Sequence, residues 1–317
     1  MRIGYNLAAE AFGRKELVRQ AVAAEQAGFD FVEISDHFHP WLDNQGHSPF
    51  AWTVLGTIAA KTERIGLATG VTCPTVRYHP AIIAQAAATL ALVSDGRFTL
   101  GVGAGERLNE HVVGPGFPET VPGRHERLRE ALEIIRLLWR GGYRSYEGKH
   151  LTLADARVSD LPDELPPIAV AASGKASAEL GDGLFATEPK AHVVSHYTAA
   201  GGDGPRYAEV PMAWAEDPHT AASGAGHVAV GADRVEGDER AAEPGELRSA
   251  SATVREEDVL GKFACGSDVD RYVEVAQPFA DAGFDHLVMQ NAGPDPDGFL
   301  EFFQRELGKR IRSLTPG

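Results

Sequence analysis

The chain predicts an α/β fold: a (β/α)8 TIM barrel built from 317 residues. Three observations predict it. Eight short apolar runs alternate with segments of helical periodicity. Several of those runs show little polar alternation, as strands buried on both faces of a parallel sheet do. The chemistry-bearing residues crowd directly after the first four runs, where barrel enzymes carry their reactive loops.

The elements follow in order. RIGYN (2–6) is a short strand, and KELVRQAVAAEQAGFD (15–30) repeats apolar residues at helical spacing until Gly28. FDFVEI (29–34) is the second strand. AWTVLGTIAAKTER (51–64) is a helix and IGLATGV (65–71) the third strand. PAIIAQAAATLALVSDG (80–96) is a helix opened by Pro80 and closed by Gly96. RFTLGVGAG (97–105) is the fourth strand, followed by the long amphipathic helix GRHERLREALEIIRLLWRGG (123–142). The rhythm continues through PPIAVAA (166–172), GDGLFAT (181–187), YAEVPMAWA (207–215) and FDHLVMQ (284–290), and PDGFLEFFQRELGKRIRSL (296–314) closes the chain.

The expected organisation is one barrel domain over 1–317 with an irregular insert near 217–253. That insert contains no aromatic residue, Ile, Met or Lys. It has too few large apolar groups to bury much area, so a loosely packed or disordered loop is expected, with a short helix as the alternative. Between AVAA and LFAT about ten residues remain, fewer than the dozen or so a parallel crossover needs. The helix there should be clipped to about one turn.

Lys and Arg number 30 against 45 Asp and Glu, a formal charge of −15. That argues against nucleic acid or an anionic membrane as partners and leaves small molecules open. No apolar stretch approaches the ~18–20 residues of a membrane span, and the N-terminus lacks a signal-peptide pattern. Cys73 and Cys265 are the two cysteines. They suggest neither a disulfide framework nor a zinc site, so a cytoplasmic setting is expected.

Glu10 follows the first strand. Asp36, His37, His39 and Trp41 follow the second. Gly70, Val71 and Cys73 follow the third, and Ala104, Gly105, Glu106, Arg107 and Asn109 the fourth. Each has an ordinary reading alone: Asp36 as a helix cap, His37 as a hydrogen-bonded structural histidine, Trp41 as packing, Glu106 as a solvated turn residue. The glycines at 101, 103 and 105 lack the spacing and acidic partner of a dinucleotide fingerprint. Joint placement at one barrel end is what favours function.

SDHFHPW, QGHSPFAW, TCPTVRYHPAIIAQAAATL, GRFTLGVGAGERLNEH and RHERLREALEIIRLLWRG together resemble the luciferase-like flavin and deazaflavin oxidoreductases. Within them the chain is similar to the branch that includes F420-dependent glucose-6-phosphate dehydrogenase. The resemblance spans about residues 2–215 and 254–312. It implies a dimeric barrel binding coenzyme F420, and a non-prolyl cis peptide at Gly70–Val71. It also implies that Asp36, Cys73, Ala104, Gly105, Asn109, Ser173 and Gly174 contact the deazaflavin.

Hydride transfer between such a coenzyme and a small organic substrate needs a base, a proton donor and held geometry. His37 suits the base through its ordinary pKa of ~6.5. Glu106 suits the donor, Trp41 shields the imidazole, and Glu10 orients it. Arg77 and Arg107 are candidates for the coenzyme's anionic groups. Thr187, Lys190 and Lys262 correspond to the sugar-phosphate site, but Lys262 replaces an arginine and the insert supplies no lysine, so that site is incomplete. The expected substrate is an alcohol, ketone or activated alkene, with a sugar phosphate possible. The alternatives are an FMN-dependent monooxygenase and a non-catalytic deazaflavin-binding paralogue.

Overall fold

The structure is a computed structural model that describes residues 1–114, 116–118, 120–171, 174–223, 225 and 255–317. In chain order the strands are β1 (Arg2–Leu7), β2 (Phe31–Ile34), β3 (Gly66–Thr69), β4 (Phe98–Gly103), β5 (Arg144–Glu147), β6 (Thr152–Ala156), β7 (Ile168–Ala171), β8 (Gly183–Ala186), β9 (Arg206–Ala213), β10 (Ala264–Cys265) and β11 (His286–Asn291).

Eight of them form a closed parallel barrel in the order β9-β11-β1-β2-β3-β4-β7-β8, and β8 pairs with β9 to shut it. The two-residue β10 adds to the far end of β9 through Ala264↔Met212. Closure removes the exposed edges that an open sheet must protect. The eight apolar runs read from sequence all lie in this barrel.

Helices cover the outside. α1 (Arg14–Ala27) ends where Gly28 takes a left-handed φ of 92° and its N–H bonds to Ala24 O. α2 (Ala51–Ala59) and α3 (Pro80–Val93) follow β2 and β3, with Pro80 in the first turn of α3. α4 (Arg107–Glu110) is a single turn beyond β4, and α5 (Val121–Leu138) is the long amphipathic helix. Among the described residues, no helix is long and apolar enough to cross a membrane.

Three features depart from the sequence reading. The segment 144–156 forms an antiparallel hairpin, β5–β6, outside the barrel, held to α5 where Glu130 accepts from the backbone N–H groups of Lys149, His150 and Leu151. The clipped crossover is α6 (Gly174–Leu180), about two turns rather than one. It fits because α6 lies against α7 (Ala191–Ala199) with almost no gap: a Cβ on Gly174 would overlap the Val193 carbonyl. The insert expected as loose chain, with a short helix as the alternative, begins as that helix over 218–223, where Thr220 N–H donates to Asp217. Ala221, Ala222 and Ala225 pack there against Val259 and Phe263, since methyl-sized side chains allow close approach. The rest of the 217–253 expectation lies outside the described residues.

Candidate active site

Polar side chains converge at the C-terminal end of the barrel on a cavity of about 690 Å³. Its floor comes from the strands: Asn6 of β1, Glu209 of β9 and Gln290 of β11. Its walls come from the loops after β1 to β4. Glu10, His37, Trp41 and Glu106, far apart in sequence, all line it.

His37 is the centre of the arrangement. Its Nδ1 lies 2.5 Å from Glu10 Oε1, and its Nε2 lies 3.7 Å from Glu106 Oε1. The Glu10 contact is short but off the axis of a good hydrogen bond. Ser35 Oγ donates to the same Glu10 oxygen at 2.6 Å and fixes that carboxylate. Trp41 meets the imidazole edge-on, ring centres 5.2 Å apart. Burial alone would depress the imidazole, but the Glu10 carboxylate outweighs it, with help from Glu106 and Asp36, and raises His37 to about 9. Burial likewise pushes Glu10 up, and the imidazolium overrides it and holds Glu10 below its ordinary value. His37 is therefore an imidazolium at neutral pH. This corrects the expectation of an ordinary titration near 6.5.

Asn109 locks the β2 and β4 loops together. Its Oδ1 accepts from the N–H groups of Phe38 and His39 at 2.7 and 2.9 Å, and its Nδ2 donates to Glu106 at 2.7 Å. Asp36 is 2 % exposed. Its carboxylate accepts from Tyr78 at 2.9 Å, Thr72 at 2.8 Å and Trp52 at 3.3 Å. Its charge is thus committed inside the protein.

Arg77 corrects another expectation. Its side chain, 7 % exposed, is not a loose cation for a coenzyme. It pairs with Asp36 at 3.4 Å and Glu110 at 3.5 Å, donates to the Asp36 carbonyl, and lies over the Tyr78 ring. Those contacts tie the loops after β2, β3 and β4. Arg107 is exposed on α4 and does not line the cavity.

One wall is nearly flat backbone. Gly70, Val71, Cys73, Gly103, Ala104 and Gly105 line it, and the Gly70–Val71 peptide is cis. A Cβ on Gly103 would press on Val71, and Gly105 holds φ 88°, a conformation that favours glycine. The Cys73 thiol lies in this wall with its pKa raised by burial.

The remaining sequence-derived residues divide. Thr187 lines the cavity. Lys190 does not, because it turns onto Glu188. Lys262 does not, because it sits on an exposed part of the helix Glu256–Lys262. Gly174 serves the α6–α7 contact instead of the cavity. Ser173 lies outside the described residues.

Sequence reasoning missed Glu33 and Glu209. Glu33 is 0 % exposed and accepts from Asn6 Nδ2 at 3.3 Å. It is in hydrogen-bond contact with Glu209. Burial, then mutual repulsion, holds Glu33 well above the carboxylate range; burial and the Glu10 charge raise Glu209 to about 7. Each is a single acid inside an apolar strand, FVEI and AEVP, which was the available signal.

Comparison with known proteins gives a consistent picture. Residues 1–286 match the luciferase-like monooxygenase family. The chain is 36 % identical to an F420-dependent glucose-6-phosphate dehydrogenase of Nocardia farcinica over 99 % of both chains. It is 37 % identical to the Segniliparus rotundus protein of that description, also over 99 % of both. Among solved structures, an F420-dependent secondary alcohol dehydrogenase in complex with an F420-acetone adduct superposes with a TM-score of 0.89 at 27 % identity, covering 98 % of this chain and 99 % of that one.

Proposed function

The chain belongs to the luciferase-like monooxygenase family, and on that premise we propose that it is a coenzyme F420-dependent oxidoreductase acting on a small neutral alcohol or ketone. The single observation that carries the substrate class is the charge of the cavity. Glu10, Glu106 and Glu209 line it, Asp36 and Glu110 line it with their charge turned onto Arg77, His37 is the one cationic lining side chain, and no Lys or Arg is among the described lining residues. A phosphate would meet like charge there.

The residues fit a deazaflavin. The wall of Gly70, Val71, Gly103 and Gly105 presents mostly backbone to the cavity, and no Cβ fits at Gly70 or Gly103, where it would run into Glu33 or Val71. Asp36 and Asn109 stiffen the loops on either side of that wall, and Cys73 and Ala104 complete it. When bound, the deazaflavin supplies a two-electron carrier that gives or takes a hydride.

The chain's own groups handle the proton. In carbonyl reduction His37 Nε2 donates a proton to the oxygen on which charge develops, and Glu10 stabilises the imidazole through Nδ1. In alcohol oxidation neutral Nε2 takes that proton. Glu106 borders the same nitrogen and assists transfer on the ring side. Trp41 closes one side against water. Because His37 is raised to about 9, reduction suits neutral pH and oxidation suits alkaline pH.

The test is His37→Ala. Coenzyme binding, followed by fluorescence, stays within a few-fold of the parent, while turnover of secondary alcohols and ketones falls by ~10² or more. Turnover that stays within a few-fold of the parent, or coenzyme binding lost together with turnover, defeats the assignment. Parallel titration with FMN, and a substrate panel that includes sugar phosphates, checks coenzyme and substrate class. We also propose that the chain forms a homodimer through the groove on α2 and α3, where Ile82 and Val93 are half exposed. Light scattering of Ile82→Glu checks this.

A further inference from the structure

Glu33 and Glu209 meet inside the barrel, yet neither has a role in the hydride chemistry. Glu33 stands on β2 opposite Asn6 of β1, and Glu209 stands on β9. The Glu33 side chain is fully buried. One oxygen takes the Asn6 amide; the other has no N–H or O–H partner among the described residues. Two ionised carboxylates cannot sit in contact with one oxygen so exposed to its neighbour's charge. Glu10 and His37 face the pair from the loops after β1 and β2, and the neutral amides of Asn6 and Gln290 from β1 and β11. From β3, β4 and β7 the neighbouring lining is Gly70, Val71, Gly103 and Ala171, which carry no charge. A proton is the group left to join them.

We propose that Glu33 keeps a proton through neutral and alkaline pH and donates it as a hydrogen bond to the Glu209 carboxylate, making the two a positioning pair that fixes the net charge beneath Glu10 and His37. Glu33 is then a neutral acid in the strand, like the protonated carboxyls that apolar sites elsewhere keep above pH 7. Glu209 carries the one negative charge that His37 senses. Burial and repulsion hold Glu33 well above the carboxylate range, while Glu209, raised to about 7, is the member that ionises as pH rises above neutral.

The existence of the shared proton stands apart from the proposed reaction; only the rate experiment rests on His37 acting there. Infrared spectra of the protein at pH 8, compared with Glu33→Gln and Glu209→Gln, test the first. The parent and Glu209→Gln show the carbonyl stretch of a protonated carboxyl, and Glu33→Gln lacks it. A parent without that band, or a Glu33→Gln variant that keeps it, overturns the proposal. The pH profile of kcat/KM tests the second. Glu33→Gln replaces a neutral acid with a neutral amide, so the His37 limb stays at its parental pH. Glu209→Gln removes a negative charge, so that limb moves to lower pH. Equal displacement in both variants means both carboxyls are ionised and sinks the pair. If the infrared result holds but neither limb moves, the fault lies in the role given to His37. Thermal unfolding of both variants, and coenzyme titration, exclude misfolding as the cause.

Discussion

Glu10→Gln isolates the charge that holds the central histidine. Glu10 Oε1 lies 2.5 Å from His37 Nδ1, and glutamine keeps its size while dropping its charge. Burial alone pulls His37 below its ordinary 6.5, and the Glu10 carboxylate more than reverses that, to about 9. The gap between those two values corresponds to about 3 kcal/mol of interaction with the protonated ring. Without the carboxylate, burial is opposed only by Glu106 and Asp36, so the variant should titrate back near 6.5. At pH 8 the imidazolium fraction then falls about 30-fold. The assay is initial rates from pH 6 to 10 in both directions, at saturating coenzyme, with coenzyme affinity measured separately. Carbonyl reduction at pH 8 should drop about 30-fold, and its alkaline limb should move from near 9 to about 6.5. The oxidation limb should move the same way, with a lower plateau because the ring is a weaker base. A variant that loses activity at every pH with its limbs unmoved would refute the reasoning. It would mean that Glu10 shapes the pocket and does not set the charge of His37.

Arg77→Ala leaves the Asp36 and Glu110 carboxylates, 0 % and 1 % exposed, without their cation, and should cost about 3–5 kcal/mol in urea unfolding. Gly101→Ala drives a methyl group into the Thr69 carbonyl between β3 and β4 and should cost about 3 kcal/mol or stop folding, read by thermal melting. Gly174→Ala should lower the melting temperature by disturbing α6 against α7 while changing coenzyme affinity little. Stability without coenzyme should decline with alkali. The folded-state pKa of His37 is raised, so its contribution is complete below 6.5 and is lost as pH rises through about 9. His37→Ala should flatten that part of the melting profile.

The barrel was legible because parallel strands buried on both faces write continuous apolar runs, and FDFVEI, IGLATGV and FDHLVMQ are such runs. The hairpin of β5 and β6 was not, because RSYE and TLADA expose polar groups on both faces and carry no barrel signal. Position at strand ends marked Glu10, His37, Trp41 and Glu106, since loops after barrel strands share one end of the molecule. Burial was invisible. Arg77 reads as a loop cation, yet its partners Asp36 and Glu110 lie 41 and 33 residues away and enclose it. Lys190 stands two residues from Glu188, so local pairing was there to be read. The elevated His37 depends on a carboxylate from another strand, which no local pattern encodes.

Glu33 and Glu209 bear most directly on what the cavity accepts. Sequence identity points one way, toward relatives described as sugar-phosphate dehydrogenases at 36 %. The charge of the lining points the other. A phosphate near Glu209 or Glu10 would meet repulsion of about 2–3 kcal/mol per carboxylate at ~6 Å with an effective dielectric of ~20. Lys190 pairs with Glu188 away from the cavity and could not offset it. A neutral carbonyl meets no such penalty, and its oxygen gains from the imidazolium at Nε2. The protonated Glu33 sharpens the contrast, since it limits the floor to one negative charge beneath Glu10 and lets the imidazolium dominate at the reacting atom. On this argument substrate selection in the chain rests on which carboxylates stay ionised, and less on which lysines the loops retain.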